Sequence, residues 1–377
     1  MEYVALKDVC KINMGQSPDS SSYNDKKEGI PFYQGNADFG EKHPIPRVWC
    51  NAPTKIAQPK DILMSVRAPI GALNYAQEKC CIGRGLAAIT PDKDKLSLEF
   101  LYWFLREKNS ELNSKGTGST FKAISKKTLE EIRVPLIDLE KQQKMAQALE
   151  KTYAVIQMRT KQLKELDDLI KARFVEMFGL VRNNVYGYKI KMLQDVCEPI
   201  KDGTHQTPTY VNDAQHGFKF LSSKDVTSGK INWSKIKYIP SDLHEELYAK
   251  IKPKRGDILL AKNGTTGVAA VVETDEIFDI YVSLALLRPI DMNSIYLWAA
   301  VNSADTKHQF DSSLKGIGVP NLHLGDIKKT KIIVPPLELQ SQFADFVTQI
   351  DKSKATVQKA LDETQLLFDS LMQQYFG

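Results

Sequence analysis

One segment of this chain occurs twice, and that repeat limits what the chain can fold into. The stretch that opens on Val134-Pro135 and closes on Phe178-Gly179 is matched by a second that opens on Val334-Pro335 and closes on Phe376-Gly377. In this frame Leu139 answers to Leu339 and Gln142 to Gln342. In the first copy Gln142, Ala146, Leu149, Tyr153, Ile156, Thr160, Leu163, Asp167, Ile170, Phe174 and Met177 step alternately by four and three. In the second, Phe343, Phe346, Ile350, Ser353, Val357, Ala360, Thr364, Leu367 and Leu371 do the same. That alternation is a heptad seam, widened by Leu166, Leu169, Val347, Leu361 and Phe368. Between the opening prolines and the closing glycine neither copy holds Pro or Gly, so each can run as one helix. About 40 helical residues span roughly 60 Å, several times an average globular helix. The apolar seams have an obvious partner in each other. A helical hairpin that only dimerises the protein is the plainer alternative, but the repeat extends beyond the helices.

The globular parts repeat as well. LKDVCKI (Leu6–Ile12) is echoed by LQDVCEPI (Leu193–Ile200), and PKDILMSVRAPIG (Pro59–Gly71) by KRGDILLAKNGTTG (Lys254–Gly267). The second echo places Lys262 near the position of Arg67. Trp298 answers Trp103, and KGIGVPNLHLGDIKK (Lys315–Lys329) answers KGTGSTFKAISKK (Lys115–Lys127). The segments GIPFYQGNADFG (Gly29–Gly40) and KDGTHQTPTY (Lys201–Tyr210) have no evident counterpart. Alternating strand patterns, Gly/Pro turns and short helices give each globular part a mixed α/β (α+β) character. The expected domains are 1–135, a helix over 136–179, 180–335, and a helix over 336–377. Antiparallel pairing of the helices as a coiled coil would give the chain an approximate two-fold. That is the symmetry with which a DNA reader addresses two half-sites.

Composition narrows the class. Residues 1–135 and 180–335 together carry a net charge of +7, and the two helical segments −2. This favours the globular parts as a polyanion-facing surface. The N-terminus MEYVALKDVC has no basic n-region and no apolar h-region, and no run approaches the ~18 apolar residues of a membrane span. Five cysteines (Cys10, Cys50, Cys80, Cys81, Cys197) form no C-x-x-C pair, which points to a reducing cytoplasm. The histidines show no metal-ligand spacing, so no metal is expected. No catalytic residue is assigned. The only Pro-Pro, Pro335-Pro336, is followed by Leu337 at a helix entrance, unlike the [D/N/S]-P-P-[Y/F] of an amino-methyltransferase, and there is no P-loop.

Candidate base readers are Gln34, Asn36, Arg67 and Arg84 in the first part, each in or beside a glycine turn. In the second they are Thr204, His205, Gln206, Thr207, Ser222, Ser223, Lys262 and Asn263, with Lys224 beside the two serines. Gln and Asn can pair bidentately with adenine, and Arg or Lys with guanine. The alternative for Arg67 and Arg84 is that they brace strand ends. Lys122, Lys126, Lys201 and Lys224 are the candidate phosphate anchors.

Together, PKDILMSVRAPIG with CIGRGLAAI, the TGSTFKAISKKTL segment, VPLIDLEKQQ with its repeat VPPLELQSQ, and the MFG and YFG helix ends resemble the specificity (S) subunit of type I restriction–modification systems. The resemblance runs over essentially the whole chain. It implies two target-recognition domains, each followed by a long conserved helix, in a non-catalytic subunit. Double-stranded DNA is then read as a split site across an unspecified spacer. The implied partners are two copies of an adenine-N6 methyltransferase subunit and, through that core, a restriction and translocation subunit. The implied cofactors belong to those partners: S-adenosylmethionine to the methyltransferase, ATP and Mg to the restriction subunit. The competing reading from the residues alone is a duplicated coiled-coil adaptor that does not bind DNA.

Overall fold

The structure is a computed structural model that describes residues 2–118, 122–212, 217–314 and 320–377. Residues 119–121 of the first Gly/Ser/Thr loop, and 315–319 of the segment matched to it, lie outside the described residues. Two helices dominate, Leu139–Phe178 and Leu337–Phe376, each of 40 residues. At the end of the first, Gly179 takes the left-handed conformation that stops a helix (φ 73°). Two compact units form: Met1–Thr160 with Lys359–Gly377, and Lys161–Gln358. Each unit therefore takes the beginning or end of both helices along with its own sheets.

In the first unit an antiparallel sheet has the order Cys10–Met14, Leu86–Pro91, Ile62–Ser65, Leu73–Tyr75. A second sheet has the order Tyr23–Asn24, Val48–Cys50, Ile30–Tyr33, Cys80–Ile82, Ile56–Ala57, with its third and fourth strands parallel. A ribbon of Glu2–Ala5 with Arg133–Leu136 leads into the long helix. Helix Leu98–Glu107, capped by the Ser97 hydroxyl, turns Phe100, Trp103 and Phe104 into the core. There Trp103 meets Tyr153 of the first long helix and Phe368 of the second edge-on, at 5.4 and 5.5 Å between centroids.

The second unit repeats the plan. Its antiparallel sheet runs Cys197–Asp202, Leu284–Pro289, Ile258–Ala261, Ala269–Val271, which is the order of the first. A shorter sheet, Lys237–Ile239, Phe218–Leu221, Phe278–Ile280, again has a parallel pair, its second and third strands. The ribbon is Lys189–Met192 with Lys331–Val334. Phe174, Phe178, Tyr296 and Phe343 form its aromatic centre, with Phe178 and Tyr296 at 4.9 Å.

Register corrects the sequence frame. The helices start at Leu139 and Leu337, so Gln142 answers to Gln340 and not to Gln342. Hydrogen bonding supports this pairing. Gln142 is buried, accepts from Ser97 N (2.8 Å) and donates to the carbonyls of Lys95 and Ile137 (both 2.8 Å). Gln340 is also buried, accepts from Asn293 N (3.0 Å) and donates to the Pro335 carbonyl (2.9 Å). Each glutamine ties the first turn of its long helix to the start of the helix packed beside it. Gln142→Leu strands one N–H and two carbonyls, at about 1–3 kcal/mol per buried group. Denaturant unfolding of the variant is therefore expected to show a loss of roughly 3 kcal/mol or more; a loss below ~1 kcal/mol would count against this anchoring role.

The helices pair antiparallel within each unit. In the first, Tyr153 meets Phe368, and Arg159 donates to the Ala360 carbonyl and the Thr364 hydroxyl. In the second, Asp167 pairs with Lys354, and Phe174 meets Phe343. The seam is not the strict one read from the heptad. Thr160, Asp167, Ser353 and Leu367 are exposed, while Arg159, Leu166, Lys354 and Phe368 turn inward. A straight helix drifts about 20° per heptad from a 3.5-residue repeat, so over 40 residues the facing positions shift by one.

Candidate nucleic-acid interface

In the first unit a run of backbone bonds brings loops distant in sequence side by side. The Gln34 carbonyl accepts from Gly85 N (3.1 Å), the Gly85 carbonyl from Val66 N (2.9 Å), and the Val66 carbonyl from Ile124 N (3.0 Å). Asp38 takes Gln34 N at 2.7 Å and Gly35 N at 3.3 Å, which fixes the turn. No Cβ fits at Gly85, where it would lie 2.2 Å from the Gln34 carbonyl, or at Gly15, 2.1 Å from that of Gly83. The glycines that follow Arg84 and precede Gln16 are thus needed for loop-on-loop contact. Gln34, Asn36, Arg67 and Arg84 all line one pocket of about 200 Å³, together with Ser17. Gln34, Arg67 and Arg84 are exposed, and among the described residues neither arginine forms an ion pair. Lys122 is adjacent, its carbonyl accepting from Ala68 N at 3.0 Å. Lys126 starts the next short helix and is partly neutralised by Glu130 at 3.3 Å.

The second unit makes the same crossings with other residues. The Ser283 carbonyl accepts from Lys262 N (2.9 Å), and the Lys262 carbonyl from Leu322 N (2.8 Å). Asp225 takes both Ser222 N (2.7 Å) and the Ser222 hydroxyl (2.9 Å), as Asp38 does for its own turn. Ser223 N donates to the Ser283 hydroxyl at 2.9 Å, and Lys224 is exposed. Lys201, Thr204, His205 and Gln206 line a larger pocket of about 530 Å³, with Lys250, Asp279 and Lys328. Thr207 follows them, exposed. Asp279 of this lining is buried and joined to the buried His244 at 2.7 Å, with Phe218 stacked on the imidazole. Burial raises the Asp279 carboxyl above the usual carboxylate range, and the histidine opposes that shift.

Three sequence matches change. Lys262 answers to the buried Val66, and the residue in the place of Arg67 is Asn263. Lys262 points inward: it is buried, and its ammonium lies 2.6 Å from Asp202, which also faces His205 at 3.3 Å. The KDGTHQTPTY loop does have a counterpart. Gly203 N bonds to the Leu284 carbonyl as Gly15 N does to that of Leu86, so Asp202-Gly203-Thr204 answers to Met14-Gly15-Gln16. Likewise Phe218–Leu221 and its Ser222 turn answer to Ile30–Tyr33 and its Gln34 turn, both strands running parallel to the next. Sequence reasoning overlooked Ser17 and Asn321. All five cysteines are buried and free, with burial pushing the thiols of Cys10, Cys80 and Cys197 up to about 12. No helix among the described residues is long and apolar enough to cross a membrane.

The family model described as type I restriction modification DNA specificity domain matches residues 1–168 and 187–364. Over 157 residues the chain is 45% identical to a protein of Methanocaldococcus jannaschii described as the MjaX specificity subunit of a type I restriction enzyme. That match spans 42% of this chain and 37% of the relative. Over 411 residues it is 21% identical to the type I restriction enzyme EcoBI specificity subunit of Escherichia coli, covering 99% of this chain and 85% of that one. Among solved structures it is similar to the type I restriction–modification system S subunit from M. genitalium, with a TM-score of 0.56 at 14% identity. That likeness covers 100% of this chain and 96% of the other, and it is a likeness of fold.

Proposed function

We propose, for a chain that belongs to the type I restriction modification DNA specificity family, that each of its two units reads one part of a split duplex DNA site. The chain acts as the non-catalytic recognition subunit of a larger assembly. The observation that carries this is the convergence of Gln34, Asn36, Arg67 and Arg84 on one open pocket, with neither guanidinium group in an ion pair among the described residues. Core packing has no use for such a cluster. A base edge in the major groove presents the acceptors and donors that it matches. In the second unit the corresponding work falls to Thr204, His205, Gln206, Thr207, Ser222, Ser223 and Asn263. Lys262 acts indirectly, by holding Asp202 and the loop that carries His205. Lys122, Lys201 and Lys224 anchor phosphates, with Lys126 a weaker contributor because of Glu130.

Recognition is distinct from chemistry in this scheme. Two methyltransferase subunits dock on the two long helices and bring S-adenosylmethionine, and a restriction subunit that uses ATP and Mg joins through them. A salt titration tests the DNA reading. Affinity for duplex DNA should fall with log salt at a slope of about −0.9 per phosphate neutralised. Lys201→Ala should lessen that slope by roughly one, equally on cognate and scrambled duplexes. A complex that ignores DNA at low salt would leave only the adaptor reading.

A further inference from the structure

We infer that the two units read different bases at one equivalent loop position, with Arg67 taking a guanine and Asn263, together with Asn321, taking an adenine. This deepens the DNA-reading proposal and rests on it.

The equivalence comes from backbone register. Arg67 forms an isolated antiparallel bridge with Ala123, and Asn263 forms one with Asn321. On either side the bonds match: Ala68 N to the Lys122 carbonyl and Gly264 N to that of Pro320, then Gly71 N to Ser65 and Gly267 N to Ala261. Both loops close on a left-handed glycine, Gly71 (φ 85°) and Gly267 (φ 81°). Chemically the two positions are opposed. Arg67 is exposed, has donors only, and guanine offers O6 and N7 as two acceptors side by side.

In the second unit the position holds two amides. The Oδ1 atoms of Asn263 and Asn321 are shielded from solvent and have no hydrogen-bond partner among the described residues. An orphaned acceptor costs the protein stability and is worth keeping where a ligand supplies the donor. The terminal torsion of Asn is soft, so either oxygen can swing outward to a base. In the major groove only adenine and cytosine present an NH2 group. Only adenine sets an acceptor, N7, beside it for the amide NH2 to meet. Ala123 in place of Asn321 leaves the first unit with no such acceptor pair.

The test is selection from a duplex library randomised over the site, using the full chain purified with its co-expressed methyltransferase subunit. Wild type should enrich a guanine in one part and an adenine in the other. Arg67→Ala should flatten only that guanine; Asn263→Ala and Asn321→Ala should each flatten only that adenine, by roughly 5- to 150-fold in discrimination. Neither Asn variant should melt at a lower temperature, since each removes an orphan. Asn263→Asp keeps the acceptor and loses the amide NH2, so it should move the preference from adenine towards cytosine. If Arg67→Ala alters its part while the asparagine variants alter nothing, or alter another base, the inference is overturned and the DNA reading stands. If wild type enriches no sequence at all, the DNA reading itself falls.

Discussion

Exchanging residues 180–335 for the same region of another family member changes one part of the recognised site and leaves the other as it was. The second unit is self-contained in the respects that matter. Its two sheets, its ribbon and all its candidate reading loops lie within the exchanged segment. What it borrows comes from the helices, which stay. Phe174 and Phe178 pack on Tyr296, with Phe174 and Tyr296 at 5.6 Å, and Phe343 packs on both phenylalanines. The donor segment must therefore carry a large aromatic residue in the place of Tyr296, because an alanine there costs about 3–5 kcal/mol. The Asn293–Gln340 bond must also survive, and any residue except proline in the place of Asn293 supplies its N–H. With those joints kept, sequencing of methylated positions in cells that express the chimera and its methyltransferase reports the new site. One altered part and one unaltered part is the expected outcome. Both parts changing together would sink the assignment of one unit to each part.

Hydrophobic period and breaker residues were enough to place both long helices, because forty residues without Pro or Gly have few other ways to bury a continuous seam. Gln34, Asn36, Arg67 and Arg84 were legible one at a time because glycine turns mark where loops approach closely. Their meeting in one pocket was not, since it depends on carbonyl-to-amide bonds between loops 19 to 58 residues apart. Lys262 shows the cost of matching by residue type. A lysine resembles an arginine in sequence, but the bonding to Ser283 and Leu322 puts it in the slot of Val66. The Val-Pro match at the helix starts misled in the same way. Pro335 resembles Pro135, while the ribbon register and the glutamine anchors fix the true frame. The drift of the seam needed the helices themselves, as a heptad written on paper does not rotate.

Lengthening both long helices by four residues, after Gln162 and after Gln358, is expected to lengthen the unspecified spacer by nearly two base pairs with both half-sites unchanged. Both helices pass from one compact unit to the other near these points, the first after Thr160 and the second after Gln358. Four residues add about 6 Å and slightly more than one turn, and DNA rises ~3.4 Å per base pair. The facing sides are nearly preserved, so Tyr153 still meets Phe368 and Phe174 still meets Phe343. The polar clasps on either side, Arg159 with Thr364 and Asp167 with Lys354, are each left within their own unit. Inserting two residues in each helix instead rotates one set of apolar positions by ~200° against the other. Ile170, Phe174 and Phe178 would then turn away from Phe343 and Val347, at about 1.5–3 kcal/mol for each large side chain exposed. Little methylation should survive that change. Extending the first helix alone should also impair assembly, because its partner has no matching length. Sequencing of methylated adenines across the genome distinguishes the variants. An unchanged spacer in the matched four-residue variant, with methylation retained, would mean that something other than the helices sets the distance between the half-sites.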